Sequence, residues 1–200
     1  MKEISTLPID MIGLIFHEAS PRYAGELEPE GLSSLPASIQ KAGVFVDKPA
    51  EYILDKVSRY HLQAVQLHGN ESPAFCSALK SGGLTVIKSF PLGEAAALEA
   101  CLPYENTCHY FLFDTKTPQY GGSGKKFDWE ILSAYTGKTP FFLSGGIGPK
   151  DAEKLRQIKH PLLYAIDLNS KFETAPGVKD AEKLREFIIK MKQNKQNEQD

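Results

Sequence analysis

The 200-residue sequence is 42% apolar and carries a net charge of −2, which suits one domain with one sizeable core. Its charges of both signs are interspersed, and no apolar run approaches the ~20 residues of a membrane span, so neither nucleic acid nor a membrane is expected as a partner. The three cysteines, Cys76, Cys101 and Cys108, form neither a metal-binding spacing nor an even disulfide set, and they read as reduced, mostly buried side chains.

The first residues, Met1-Lys-Glu-Ile-Ser-Thr-Leu-Pro8, have no signal-peptide core, and a cytoplasmic protein is expected. Met11-Ile-Gly-Leu-Ile-Phe16 is a continuous apolar run, as a strand buried on both faces requires. Residues 43–46, 64–67, 85–88, 110–113, 140–143 and 163–166 repeat the pattern, which predicts seven short strands. Helical spacing lies between them: Ile53, Val57 and Tyr60; Phe75 and Leu79; Ala95, Leu98 and Leu102; Ala152, Leu155 and Ile158. The clearest stripe is Leu184, Phe187, Ile188 and Met191. Ser72-Pro73 and Asp128-Trp129 read as helix starts, each with a capping side chain first.

Strands alternating with helices predict a parallel α/β sheet. Strand starts recur at roughly 20–30 residues, near the repeat of a (β/α)8 barrel. One barrel domain is expected over 1–191, followed by a polar, low-complexity tail over 192–200 that reads as disordered.

The polar residues cluster where such a barrel carries its active site, at the carboxyl ends of the strands. Ser20-Pro-Arg22-Tyr23 follows the first strand, and His68-Gly69 ends the third. Ser144-Gly145-Gly146-Ile147-Gly148 ends the sixth, and Asp167-Leu-Asn169-Ser170 the seventh. The fifth strand delivers Asp114 to the glycine-dense stretch Tyr120-Gly-Gly122-Ser-Gly124-Lys125, an acid beside backbone N–H groups. The plainer reading of that stretch is an Asp capping a flexible turn. A strand-end His68 capping a turn is as good a reading as one touching a substrate, and Asp167 reads equally well as structural. For Gly145-Gly146 the alternative is a tight strand-to-helix turn. Lys125-Lys126 reads as a solvated pair, and Trp129 as packing its helix onto the barrel.

In order and spacing, Ser20-Pro-Arg-Tyr, Gly43-Val-Phe-Val, Val65-Gln-Leu-His-Gly, the block from Asp114 through Tyr120-Gly-Gly-Ser-Gly-Lys to Phe127-Asp-Trp, and Ser144-Gly-Gly-Ile resemble the phosphoribosylanthranilate isomerases. The resemblance covers nearly the whole chain. It implies a TIM barrel of tryptophan biosynthesis that carries out an Amadori rearrangement on a small phosphosugar, with no cofactor and no metal. Carried over by motif, Asp114 is the general acid and Arg22 grips the anthranilate carboxylate. Gln66, His68, Gly122, Gly124 and Asp167 line the substrate, and Gly145, Gly146, Asn169 and Ser170 the phosphate. A monomer or a homodimer is implied.

The sequence departs from that family at its start. The family opens on a strand ending in a Cys-Gly whose cysteine is the general base, and none of the three cysteines here matches it. The expectation is therefore a chain that lacks the first strand and most of the first helix, as a shortened or mis-started form, with open sheet edges and impaired proton abstraction. Two other functions follow from these readings. A histidine-pathway isomerase of the same fold would show two matching half-barrels, and no internal duplication is visible. A remnant that binds the phosphosugar without turning it over is the other.

Overall fold

The computed structural model describes residues 3–33, 35–93, 95–115 and 129–193. Each apolar run becomes a strand: β1 Met11–Ile15, β2 Gln40–Phe45, β3 Ala64–Leu67, β4 Thr85–Leu92, β5 Tyr110–Thr115, β6 Phe141–Ser144 and β7 Leu163–Ile166. All seven join one sheet in sequential order, and every neighbouring pair is parallel. The sheet curls as a barrel wall, with β1 and β7 as its two edges. The strands expected from the sequence are thus all found, with β2 starting three residues earlier, and β4 and β5 running further, than predicted.

The crossovers are less regular than the sequence pattern suggests. Helices α1 Ala50–Tyr60 and α2 Pro73–Ser81 link β2 to β3 and β3 to β4. Ser72 caps α2 as expected, its Oγ accepting from the Phe75 N–H at 3.2 Å. The Ala95, Leu98, Leu102 spacing is a correction, because Ala95–Tyr104 forms a 3₁₀ helix with Pro103 inside it. Proline has no N–H to donate back into an α-helical turn, and its ring crowds the carbonyl four residues earlier. Trp129–Ala134 is also 3₁₀, and the expected cap Asp128 lies outside the described residues. α3, Ala152–Arg156, stops before Ile158. A hairpin that the sequence reading missed, β8 Glu173–Ala175 and β9 Val178–Lys179, precedes α4 Ala181–Lys192. Among the described residues no helix is long and apolar enough to cross a membrane.

Side-chain alternation along the strands divides the core in two. Phe45, Val65, Leu67, Val86, Phe90, Phe111, Phe113, Phe141 and Leu143 face the helices and form the larger core with Ile53, Tyr60, Cys76, Leu184 and Phe187. Ala42, Ala64, Ile87, Leu112 and Phe142 face one another inside the curl, joined by Met11, Tyr110 and Ala165. This second set fixes the site. Counting two residues toward the carboxyl end from Ala64, Ile87, Leu112, Phe142 and Ala165 gives Gln66, Ser89, Asp114, Ser144 and Asp167.

Candidate active site at the carboxyl ends of the strands

Asp114 ends the inward-facing row of β5. His68 Nε2 lies 3.5 Å from its Oδ2, and both side chains stay about a third exposed. The Gln66 amide nitrogen is 3.1 Å from His68 Nδ1 and donates to Ser89 Oγ at 3.2 Å. The Gln66 amide nitrogen donates, so Nδ1 accepts in the tautomer with its proton on Nε2, the one that faces a proton toward Asp114. Three of the expected site residues, Gln66, His68 and Asp114, therefore form one chain of contacts, with Ser89 as a member that the sequence reading did not name.

Asp167 joins Ser144, whose hydroxyl donates to Oδ2 at 2.8 Å. This meeting depends on a bulge. Phe141 pairs with Leu163 but Phe142 pairs with Ala165, so Tyr164 is skipped. Without the skip, β7 would keep its parity and Asp167 would turn outward. Burial is the largest influence on the Asp167 carboxyl and pushes it above the ordinary carboxylate range; the Ser144 hydrogen bond and the Lys179 charge oppose it, while the Asp114 charge adds to it. An acid raised in this way is favoured in its protonated form by the fold. Its contribution to stability is complete below the ordinary value of 3.8 and is lost as pH rises through the higher folded value. Asp167→Asn keeps the Ser144 contact and removes a half-buried charge. Its melting temperature relative to the parent is expected to increase from pH 4 to pH 8 in paired thermal melts; a difference that stays flat with pH would refute the account in which desolvation raises this carboxyl.

The loop after β6 turns on Gly145 and Gly146, at φ 96° and 62°, a region that side chains disfavour. It is closed by the Asp151 carboxylate, which accepts from the Gly148 N–H at 2.8 Å. Asn169 and Ser170 follow the neighbouring β7, and the Asn169 side-chain amide oxygen accepts from Lys179 Nζ at 2.5 Å. Gly122 and Gly124 lie outside the described residues.

Arg22 does not reach the Asp114 group. Its Nε and Nη2 donate to both oxygens of Glu173, at 2.7–3.0 Å. Lys179 Nζ meets the same carboxylate at 2.7 Å, and the Gly177 N–H donates to it at 3.2 Å. The Glu173 side chain is only 4% exposed. Burial acts to raise its carboxyl, but the hydrogen bonds and charges of Arg22 and Lys179 outweigh it and hold the group down at about 2. In return Glu173 pushes the Arg22 guanidinium up. Sequence reasoning missed Glu173 and Lys179. The signal for them was Pro176-Gly177, a turn dipeptide that predicts a hairpin bringing the residues on either side of it together.

The cysteines stand elsewhere. Cys76 lies in α2, Cys101 in the 3₁₀ helix before β5, and Cys108 at the amino end of β5; all three are free and buried, as expected.

Over residues 1–190 the chain matches the family described as N-(5'phosphoribosyl)anthranilate (PRA) isomerase. A relative from Parabacteroides distasonis, named N-(5'-phosphoribosyl)anthranilate isomerase, is 47% identical over 190 residues, which are 94% of this chain and 86% of that one. The crystal structure of phosphoribosyl anthranilate isomerase from Thermotoga maritima superposes with a TM-score of 0.78 at 35% identity, covering 92% of this chain and 88% of that one. A phosphoribosyl anthranilate isomerase in complex with reduced 1-(o-carboxyphenylamino)-1-deoxyribulose 5-phosphate gives a TM-score of 0.77 at 31% identity, with the same two coverages. Likeness of this extent in both sequence and fold leaves one conclusion, that the chain belongs to the N-(5'-phosphoribosyl)anthranilate isomerase family.

Proposed function

We propose that this chain converts N-(5-phosphoribosyl)anthranilate into 1-(2-carboxyphenylamino)-1-deoxyribulose 5-phosphate by an Amadori rearrangement. The observation that carries the reading is that the Asp114 carboxyl shares the sheet rim with two groups of different shape, each of a kind that can hold an anion. One is the Arg22 guanidinium, suited to a planar carboxylate. The other is the Gly145-Gly146 turn after β6, with Asn169 and Ser170 after the adjacent β7, a loop pair of the kind that holds a phosphate through backbone N–H groups. A substrate with a carboxylate at one end and a phosphate at the other matches that layout.

In this reading Asp114 protonates the furanose ring oxygen, the bond from that oxygen to C1′ breaks, and the anthranilate nitrogen takes up the positive charge as a Schiff base. A base then takes the C2′ proton to give an enolamine, and protonation at C1′ turns this into the ketone. Every atom of the substrate is kept, so no oxidant or reductant is called for. His68 stands beside Asp114, and the Gln66 amide at its Nδ1 holds the ring in that orientation. Asp167, hydrogen-bonded through Ser144, faces the sugar hydroxyls.

A second reading, binding without turnover, is favoured by one observation: among the described residues no cysteine stands at the carboxyl ends of the strands. The loss of anthranilate fluorescence on incubation with the 200-residue chain separates the two. Turnover supports the isomerase. Unchanged fluorescence with saturable binding of the reduced product analogue selects the binder, and neither signal would refute both. The chain acts as a monomer or a homodimer in either reading, which sedimentation resolves.

A further inference from the structure

A guanidinium has two hydrogen-bonding edges that can each hold a carboxylate: Nε with one Nη, and the pair of Nη groups at its end. Glu173 takes the first edge of Arg22 entirely, with Nε and Nη2 both donating to it. Among the described residues the Nη1 end takes no protein hydrogen bond, and the Arg22 side chain keeps 24% of its exposure while Glu173 keeps 4%. Glu173 is itself fixed by Lys179 and the Gly177 N–H, and Lys179 extends to Asn169 on the phosphate-side loop. Two cations against one buried anion leave this cluster with a single positive charge to offer a ligand.

We infer that Glu173 is a positioning residue for substrate recognition, which holds Arg22 by its inner edge so that the outer edge is presented to the carboxylate of the aromatic ring. The inference rests on the reading of Arg22 as the carboxylate-binding group. It deepens that reading by assigning the orientation of the guanidinium to a hairpin residue 151 positions away in the chain. Without Glu173 the long Arg22 side chain is free to sample rotamers, and its ordering has to be supplied on binding. Lys179 serves the same end through Glu173, and it keeps the buried carboxylate compensated while the outer edge of Arg22 faces the ligand.

The test compares two probes by calorimetric titration: the reduced product analogue, and the same phosphosugar carrying a phenylamino group without the ring carboxylate. The parent protein is expected to prefer the carboxylated probe by about 10- to 100-fold, the range for a hydrogen-bonded charge pair. Arg22→Ala should erase that preference. Glu173→Gln should cut it about tenfold while the affinity for the probe without the carboxylate stays within about twofold, a split that general loosening of the hairpin would not produce. Lys179→Met, which leaves the Arg22–Glu173 pair in place, should give a smaller loss of the same kind. If Arg22→Ala leaves the preference intact, the carboxylate reading of Arg22 fails and this inference with it. If Arg22→Ala erases it but Glu173→Gln does not reduce it, the role of Glu173 alone is refuted. Thermal melts of each variant identify any that fails to fold, and in that event the Lys179→Met result decides.

Discussion

Asp114→Asn is expected to lower isomerase turnover by about 10²–10⁴-fold, the usual contribution of a positioned acid, while the reduced product analogue still binds within about threefold of the parent. The substitution changes little else. Asn has the shape of Asp and can still accept from His68, so the neighbouring His68–Gln66–Ser89 contacts are retained. Asp114 is part-exposed, so no buried charge is created or lost, and stability should shift by less than about 0.5 kcal/mol. What disappears is the ability to deliver a proton to the leaving ring oxygen. The experiment is steady-state fluorescence for turnover with calorimetry for binding. A variant that retains more than about a tenth of the parent rate would remove Asp114 from the acid role and pass it to Asp167, the other carboxyl of the rim, which burial pushes above the ordinary carboxylate range.

Much of this site was legible in the sequence because parallel strands buried on both faces leave a plain trace. Phe111, Leu112 and Phe113 are all apolar, since one face meets helices and the other meets the barrel interior; the first polar residue after them, Asp114, therefore marks the strand end. The same logic finds Gln66 and His68 after Val65, and Ser144 after Leu143. Gly69 shows why a glycine follows His68, because a side chain there would collide with Asp47. What was hidden was register. Nothing in Leu163-Tyr-Ala-Ile166 announces that Tyr164 is skipped in pairing, yet that bulge is what sets Asp167 opposite Ser144. Pairings between distant residues were equally invisible, since the partner of Arg22 is chosen by a hairpin that only the fold brings near. The 3₁₀ helix at Ala95–Tyr104 shows the reverse failure, in which apolar spacing suggested an α-helix and Pro103 denies the last turn its α-helical hydrogen bond.

Lys88 was read from sequence only as the last residue of a strand, and its replacement should be among the most damaging in the molecule. It faces the helix layer from β4 at 2% exposure, and Glu71, 7% exposed, lies 3.3 Å from its Nζ. The ammonium donates to the Leu67 and Gly69 carbonyls at 3.2 and 2.8 Å, on either side of His68, and to the Ser89 carbonyl at 3.1 Å. Glu71 accepts from the Asp47 and Gly69 N–H groups, so the pair ties the ends of β2, β3 and β4 together beneath the site. Lys88→Met leaves an uncompensated buried carboxylate, which costs about 3–5 kcal/mol and should lower the melting temperature by on the order of 10 °C. Adding Glu71→Gln removes that stranded charge while keeping an oxygen for the two N–H groups. The double variant is therefore expected to melt above Lys88→Met alone, although the carbonyls that lost their donor keep it below the parent. A single variant within about 1 kcal/mol of the parent would mean that water reaches the pair and solvates it. A double variant no better than the single would mean that Lys88 matters for its three carbonyl contacts and not for its charge. In that case the backbone on either side of His68 is held by hydrogen bonds alone, and the Asp114 contact should loosen equally in both variants.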